Sequence, residues 1–439
     1  MIMFDDAIGV ALGVVYGLID KAVPEIYIVR DTSGALVLVL PDDALTPPQW
    51  TELDAALNNA LGHYSAGAHR VLLRKSDVLD PAEVFDSPDK TRVAGQHNVW
   101  LIDRLLTNQD WLRKPPVARA ILPTAVGFSV KGGVGRSTAL AMFAWYMARK
   151  GKNVLVADLD LEAPGIGEML LSEHPPLGLV DWLMESLNGQ ADASLLEGCI
   201  GNSPLAIGED GTISVLPAYG ANTQNYVSKV GRIYTPSFNE NGDLIGLAER
   251  LRDLLGVAEQ LSVKPDLILL DARAGLHDIG SAAVTQLGAE ALLFARNDAQ
   301  NWWAYKQLFG HLAGSEAVVH GMGRDSDLRW RLKMVAAQTP PVEDARRKWI
   351  SASYSAWTQF YDDETAENVG DFEPVVFDRD SLEAPHYPLF INFDLGVRSL
   401  VLNNIEEKPE WTYVSGIFND FFEKLEGRLF PSIEPEGDA

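Results

Sequence analysis

The sequence predicts an α/β fold: a doubly wound, mostly parallel sheet, preceded by a smaller α/β domain at the N-terminus. Three observations carry this. An apolar run, Ala125 to Val130, passes into a glycine-rich loop and then into a helical pattern. Two more apolar runs, in NVLVADLDLEAPG (Asn153 to Gly165) and DLILLDARAG (Asp266 to Gly275), lead into aspartates. The runs Ala291 to Ala295 and Leu332 to Ala337 follow, with helical patterns between them. Continuous apolar strands separated by helices, with polar chemistry at strand C-termini, describe a parallel sheet covered on both faces.

Residues 1–115 are expected to form the small α/β domain. The apolar run Ala7 to Ile19 is too short to span a bilayer and reads as a buried helix. Glu25 to Arg30 and Ala35 to Leu40 are strand candidates, joined by a turn at Asp31, Ser33 and Gly34. Arg70 to Arg74 is a third strand, and helical patterns cover Pro48 to Leu61 and Val99 to Trp111. No catalytic constellation is visible here, so this part is a packing extension or a docking site for a partner. LRKPPVARA, with Pro115 and Pro116, reads as the linker. The main domain is expected over 120–430, with a disordered acidic tail at 431–439.

The chemistry concentrates in FSVKGGVGRSTALA, Phe128 to Ala141. Gly132, Gly133 and Gly135 let the backbone fold around a phosphate with its N–H groups inward, and a helix N-terminus behind them adds partial positive charge. Ser137 and Thr138 stand where such a loop ligates Mg²⁺ and contacts phosphate. Lys131, Gly132, Gly133, Val134, Gly135, Arg136, Ser137 and Thr138 are therefore the candidate cradle for a nucleoside triphosphate. One strand run ends in Asp158 and Asp160, and Asp271 ends another as a Walker B-type carboxylate. No N-K-x-D guanine signature follows the later strands, since Asn297-Asp298 lacks the lysine and the spacing, so ATP is the expected nucleotide.

The early lysine in KGGxGxST resembles the deviant Walker A loop of the ParA/MinD/ArsA group of P-loop ATPases, within the SIMIBI class. KGGVGRSTALA, ADLDLEAPGIG and LLDARAGLHDIG look like a bacterial branch of that group, and the likeness covers about residues 122 to 340. The resemblance implies that Lys131 reaches the nucleotide of a partner subunit, so that a homodimer forms around ATP and Mg²⁺. It implies that Asp158 supports the Mg²⁺ shell with Ser137 and Asp271, that Asp160 orients or activates the attacking water, and that Gly275 opens a second switch loop. Arg136 stands where the group has a second lysine. It keeps a positive charge for the β/γ-phosphates, but its planar fork differs from a point charge, which implies slow hydrolysis. The expected function is an ATP-hydrolysing switch that recruits or regulates a partner protein. The alternative is a nucleotide-binding regulatory subunit with little or no hydrolysis.

Charge narrows the partners. Against 36 Lys and Arg stand 61 Asp and Glu, a formal charge of −25. Non-specific DNA binding needs a basic surface and is not expected. Cys199 is the only cysteine, which excludes an internal disulfide and a cysteine-held iron–sulfur cluster of nitrogenase-reductase type. The start, MIMFDDAIG, carries acid where a signal peptide carries base, and a cytoplasmic location is expected.

Between the aspartate motifs, helical patterns are expected around Val180 to Leu187 and Leu244 to Leu261, a strand at Ser214 to Ala218, and an irregular loop at Asn222 to Gly242. Glu162 reads as a solvated switch-loop charge. From Glu410 to Phe430, Trp411, Val414, Ile417, Phe418, Phe421, Phe422 and Leu425 share one helical stripe. Its polar face is mainly acidic, so core or dimer packing is expected and membrane binding is not. His386, beside prolines, reads as structural. His277 falls in the expected second switch loop. The tail has a single tyrosine, Tyr413, unlike the tyrosine-rich tails of bacterial kinases that share this loop.

Overall fold

The computed structural model describes residues 2–19, 25–87, 90–93, 95–116, 118–238, 244–314, 328–362 and 375–431. Two compact units make up the chain: Met1–Lys114 with His311–His320, and Pro115–Gly310 with Gly321–Ala439.

In the first unit, α1 (Ala7–Leu18) buries Ala7, Ala11, Leu12 and Val15, one face of the helix. Strands β1 (Ile26–Arg30) and β2 (Leu36–Leu40) form the expected antiparallel hairpin. The Asp31 carboxylate organises its turn, accepting from the Ser33 and Ala35 backbone N–H groups at 2.8 and 2.9 Å, while Gly34 takes φ +91°. Helix α2 (Pro47–Leu61) opens with a capping box of Thr46 and Gln49 and with proline in its first turn. β3 (Leu72–Arg74) and β4 (Lys90–Arg92) lie at the edges. The helix expected over Val99 to Trp111 is not there. Val99–Asp103 is β5, parallel to β1, and a 3-10 turn follows at Gln109–Trp111. VWLID is too short for periodicity to separate helix from strand, and its aromatic and β-branched residues favour the pleated partner. The sheet order is β3-β2-β1-β5-β4.

The second unit is built on an eight-stranded sheet. Its strands are β6 (Thr124–Ser129), β7 (Val154–Asp158), β8 (Gly201–Asn202), β9 (Ile213–Leu216), β10 (Leu267–Ala274), β11 (Glu290–Ala295), β12 (Leu332–Thr339) and β13 (Leu389–Asn392). The order is β13-β12-β11-β6-β10-β7-β9-β8, and every neighbouring pair is parallel except β8 with β9. β6, β7 and β11 are buried along their whole length, in keeping with their mainly apolar sequence; the polar Thr124, Ser129, Asp158 and Glu290 at their ends are buried too. The principal helices are α3 (Arg136–Arg149), α4 (Leu179–Ser186), α5 (Tyr226–Ile233), α6 (Leu247–Ala258), α7 (Ala299–Ala313), α8 (Glu343–Trp357) and α9 (Trp411–Leu429).

Two further expectations need correction. Asn222 to Gly242 is not irregular throughout, since it contains α5; residues 239–243 lie outside the described residues. Its polar composition hid a helix fixed by tertiary contacts, among them Tyr226 hydroxyl to the Leu161 carbonyl at 2.6 Å. Asp271 does not end its strand, because β10 runs three residues further, with a break in register between Asp271 and Ala274. Glu162 is exposed, as expected, and its carboxylate also pairs with Arg273 at 3.1 Å and accepts from the Tyr234 hydroxyl at 2.7 Å.

The stripe of α9 lies in the core. Val414, Ile417, Phe418, Phe421, Phe422 and Leu425 are buried, and Tyr146 of α3 stacks on Phe422 at 4.8 Å. Tyr146 hydroxyl and Lys150 Nζ both bind Glu426, at 2.6 and 2.7 Å. Burial is worth roughly 1.5–3 kcal/mol per large apolar side chain, so this helix is a structural wall. Among the described residues no helix is long and apolar enough to cross a membrane. His386 is buried. Its Nε2 faces the Arg379 carbonyl at 2.9 Å, which fixes Nε2 as the donor and leaves Nδ1 to accept from the Tyr361 hydroxyl at 2.7 Å. The acidic tail, from residue 432 on, lies outside the described residues.

Candidate nucleotide site: a glycine loop over three carboxylates

The parallel register assembles the site. Asp271 of β10 sits opposite Asp158 of β7 on one side and Gly127 of β6 on the other. Two carboxylates from sequence positions far apart therefore lie side by side, close to where β6 turns into the glycine loop. Gly133 and Gly135 take φ +74° and +90°, which only glycine adopts without strain, and no atom lies within 4 Å of where a side chain would begin at Gly132 or Gly133. The loop backbone is open, with Lys131, Gly132 and Gly133 exposed and Val134 buried beneath. Ser137 and Thr138 stand in the first turn of α3.

Below the loop the polar contacts are specific. Ser137 Oγ donates to Asp271 Oδ2 at 2.6 Å. Arg136 is buried, and its Nε binds Asp271 Oδ1; one guanidinium nitrogen reaches Ser129 Oγ at 3.4 Å and the other lies 3.7 Å from Asp160 Oδ2. Burial works against this guanidinium's charge, but Asp271, Asp160 and Asp158 outweigh it and hold the group firmly protonated. Asp160 accepts from the Ala163 backbone N–H at 3.1 Å; its pKa is raised by burial, against the pull of that N–H and of Arg136.

Asp158 is fully buried. Its two oxygens accept from the backbone N–H groups of Asp160 (3.1 Å), Gly165 (3.0 Å) and Gly167 (3.2 Å), so it shapes the loop that carries Asp160. Burial and the neighbouring Asp271 charge raise its pKa to about 7. An unfolded aspartate titrates near ~3.9. Between those values the folded chain holds a proton that the unfolded chain has released. Stability from this group is thus complete at acid pH and is lost as pH rises through about 7. In thermal melts without nucleotide, the melting temperature of Asp158→Asn relative to wild type should move in the variant's favour by a few degrees from about pH 5 to pH 8. A constant difference across that range would show that Asp158 does not titrate there.

Three residues of the site gave no signal in the sequence. Gln300 of α7 binds Lys131. Gln338, near the end of β12, donates to the Gly133 carbonyl at 3.2 Å and takes φ +53°, a strained choice for a residue other than glycine. Arg273 pairs with Glu162 in the Asp160 loop. A glutamine inside an apolar strand was the only available hint, and the contact of Gln338 depends on a chain crossing of 205 residues. His277 occupies the N-cap position of the short helix Asp278–Ser281, without a side-chain capping bond, after Gly275, which takes φ +99°.

A family model named ParA, described as "NUBPL iron-transfer P-loop NTPase", matches residues 123–183, the span that holds β6, the glycine loop, α3 and the Asp158–Asp160 pair. Over that span the chain is similar to ParA-type P-loop NTPases. Similar solved structures include the ParA family ATPase from Chlorobium tepidum TLS, 15% identical over 72% of this chain and 100% of that one, with a TM-score of 0.42. They also include the septum site-determining protein MinD of Pyrococcus horikoshii OT3 complexed with Mg-ADP, 20% identical over 70% and 96%, TM-score 0.40. The cell division ATPase MinD of Pyrococcus furiosus is 20% identical over 70% and 99%, TM-score 0.41. No curated protein matches the chain.

The donor chemistry of this P-loop fits Mg²⁺. A serine hydroxyl and a carboxylate already in contact are hard oxygen donors, and phosphate-bound Mg²⁺ needs only one or two protein oxygens beside its waters. Among the described residues no group of three or more His, Cys, Asp or Glu is arranged to hold a metal by itself. The open glycine backbone fits a chain of phosphates. Beside the loop, a cleft of about 30 Å³ is lined by Gly135, Gln338, Asn392, Phe393 and Asp394, room for about one water and not for a base.

Proposed function

We propose that this chain binds ATP with Mg²⁺ at Lys131–Thr138, dimerises around it, and uses hydrolysis to switch its hold on a partner protein. The observation that carries the reading is the contact of Ser137 with Asp271 directly beneath an open glycine loop. Ser137 and Asp271 would hold the metal, with Asp158 supporting the shell from behind. Asp160 would position the attacking water, and Lys131 would reach the partner subunit's nucleotide. The N-terminal residues 1–115 would dock the partner protein. A cytoplasmic setting is in keeping with the single cysteine and the acidic composition.

One observation favours a second reading, a regulatory subunit with little turnover: the Arg136 guanidinium lies on Asp271. For the iron transfer in the family model's description, no group of three or more His, Cys, Asp or Glu that could hold a metal is found among the described residues. Cys199 is the sequence's only cysteine, it is buried, and burial pushes its thiol up to about 12.

Light scattering without nucleotide, with ADP–Mg²⁺ and with ATP–Mg²⁺, while phosphate is followed in the same samples, tests both readings. A dimer that appears only with ATP and decays as phosphate forms is expected. An unchanging mass without phosphate release would overturn the switch and favour the regulatory subunit.

A further inference from the structure

We propose that Arg136 is a resident counter-cation of the carboxylate cluster, and that a divalent cation must displace its guanidinium to reach Asp271. This rests on the metal site proposed above and adds a regulation to it.

Both oxygens of Asp271 are engaged, one by Arg136 Nε and the other by the Ser137 hydroxyl. The hydroxyl is itself a metal donor and has no need to leave. The guanidinium carries like charge and has no place beside a divalent ion. A lysine at this position would bring a point charge on a flexible stem. Arginine brings a planar fork, and here it spans Asp271, Ser129 and Asp160 at once. The fold makes room for it. A Cβ at position 127 would lie 3.0 Å from Arg136 Cγ and 2.8 Å from Leu140 Cδ1, so Gly127 lets the stem run down against β6 to the carboxylates. The result is a buried ion pair that neutralises part of the cluster while no ligand is present. Its release exposes charge, so it resists displacement by a metal alone. An incoming triphosphate offers the fork other oxygens, so metal and nucleotide should enter together.

The test uses Mn²⁺ as the probe and the nucleotide-free full chain, with free Mn²⁺ read by electron paramagnetic resonance. Arg136→Gln is expected to bind Mn²⁺ at least about tenfold more tightly than wild type. Arg136→Lys should gain about threefold, because an ammonium meets one carboxylate at a time. Equal affinity in wild type and in whichever of these variants folds would overturn the proposal. Adding Asp271→Asn to Arg136→Gln should abolish the gain, and a gain that persists would equally overturn it. No nucleotide is present, so failure here leaves ATP binding standing. A chain that binds no ATP would sink the proposed function without touching this result.

Discussion

Asp160→Ala should retain ATP and slow single-turnover phosphate release by about 10²–10³-fold. The carboxylate stands at the edge of the site, on the loop that leaves β7, with Arg136 3.7 Å from it and the Ala163 N–H at 3.1 Å. Burial raises its proton affinity, which moves a carboxylate toward the range where it takes a proton from water usefully. It binds none of the loop glycines or hydroxyls that form the phosphate cradle, so affinity for a fluorescent ATP analogue should change little. Asp160→Asn separates two roles. Its amide oxygen can still accept from Ala163 and keep the loop shape, but it cannot take a proton. Equal loss in the Ala and Asn variants identifies proton handling by Asp160. Activity kept by Asn and lost by Ala makes Asp160 a loop-shaping residue. Wild-type turnover in both would remove it from the reaction.

The parts of this molecule that were legible in the sequence are those where local pattern and tertiary context agree. β6, the glycine loop and α3 could be placed because an unbroken apolar strand, left-handed glycines and a helix start each leave a separate mark. The aspartates were visible as carboxylates following apolar runs, although Asp271 does not end its strand, and the β7–β10 register then put Asp158 opposite Asp271. What escaped was decided at long range. Val99–Asp103 is a strand because β1 is beside it, with Tyr27 opposite Trp100. α5 is helical within a polar segment tied by Lys229 to Asp181 and by Tyr226 to Leu161. Glu162 is exposed as its charge suggested, but its partners Arg273 and Tyr234 come from two other segments. The conformation of Arg136 follows the same rule: its identity was visible as an anomaly, and only the space over Gly127 shows where its stem goes.

Lys131→Ala should leave ATP bound and abolish the ATP-dependent dimer. Lys131 is exposed, and in the single chain its ammonium rests on Gln300 and not on the carboxylates below the loop. On the proposed reading the cis site would have its cation in Arg136, which is buried on Asp271, and the exposed Lys131 would be the loop cation that turns outward. A charge-assisted hydrogen bond contributes about 1.5–3 kcal/mol. A two-fold dimer makes two such contacts, about 3–6 kcal/mol together, so the variant should dimerise about 10²–10⁴-fold more weakly in ATP–Mg²⁺. Gln300→Ala provides the converse. It frees Lys131 from its resting partner, so dimerisation should hold or strengthen if the lysine reaches across, and should weaken if the Lys131–Gln300 contact itself builds the interface. Light scattering of both variants at matched nucleotide occupancy decides between these. A Lys131→Ala chain that dimerises like wild type would show that the early lysine serves its own subunit, and would leave ATP to drive association through the switch loops alone.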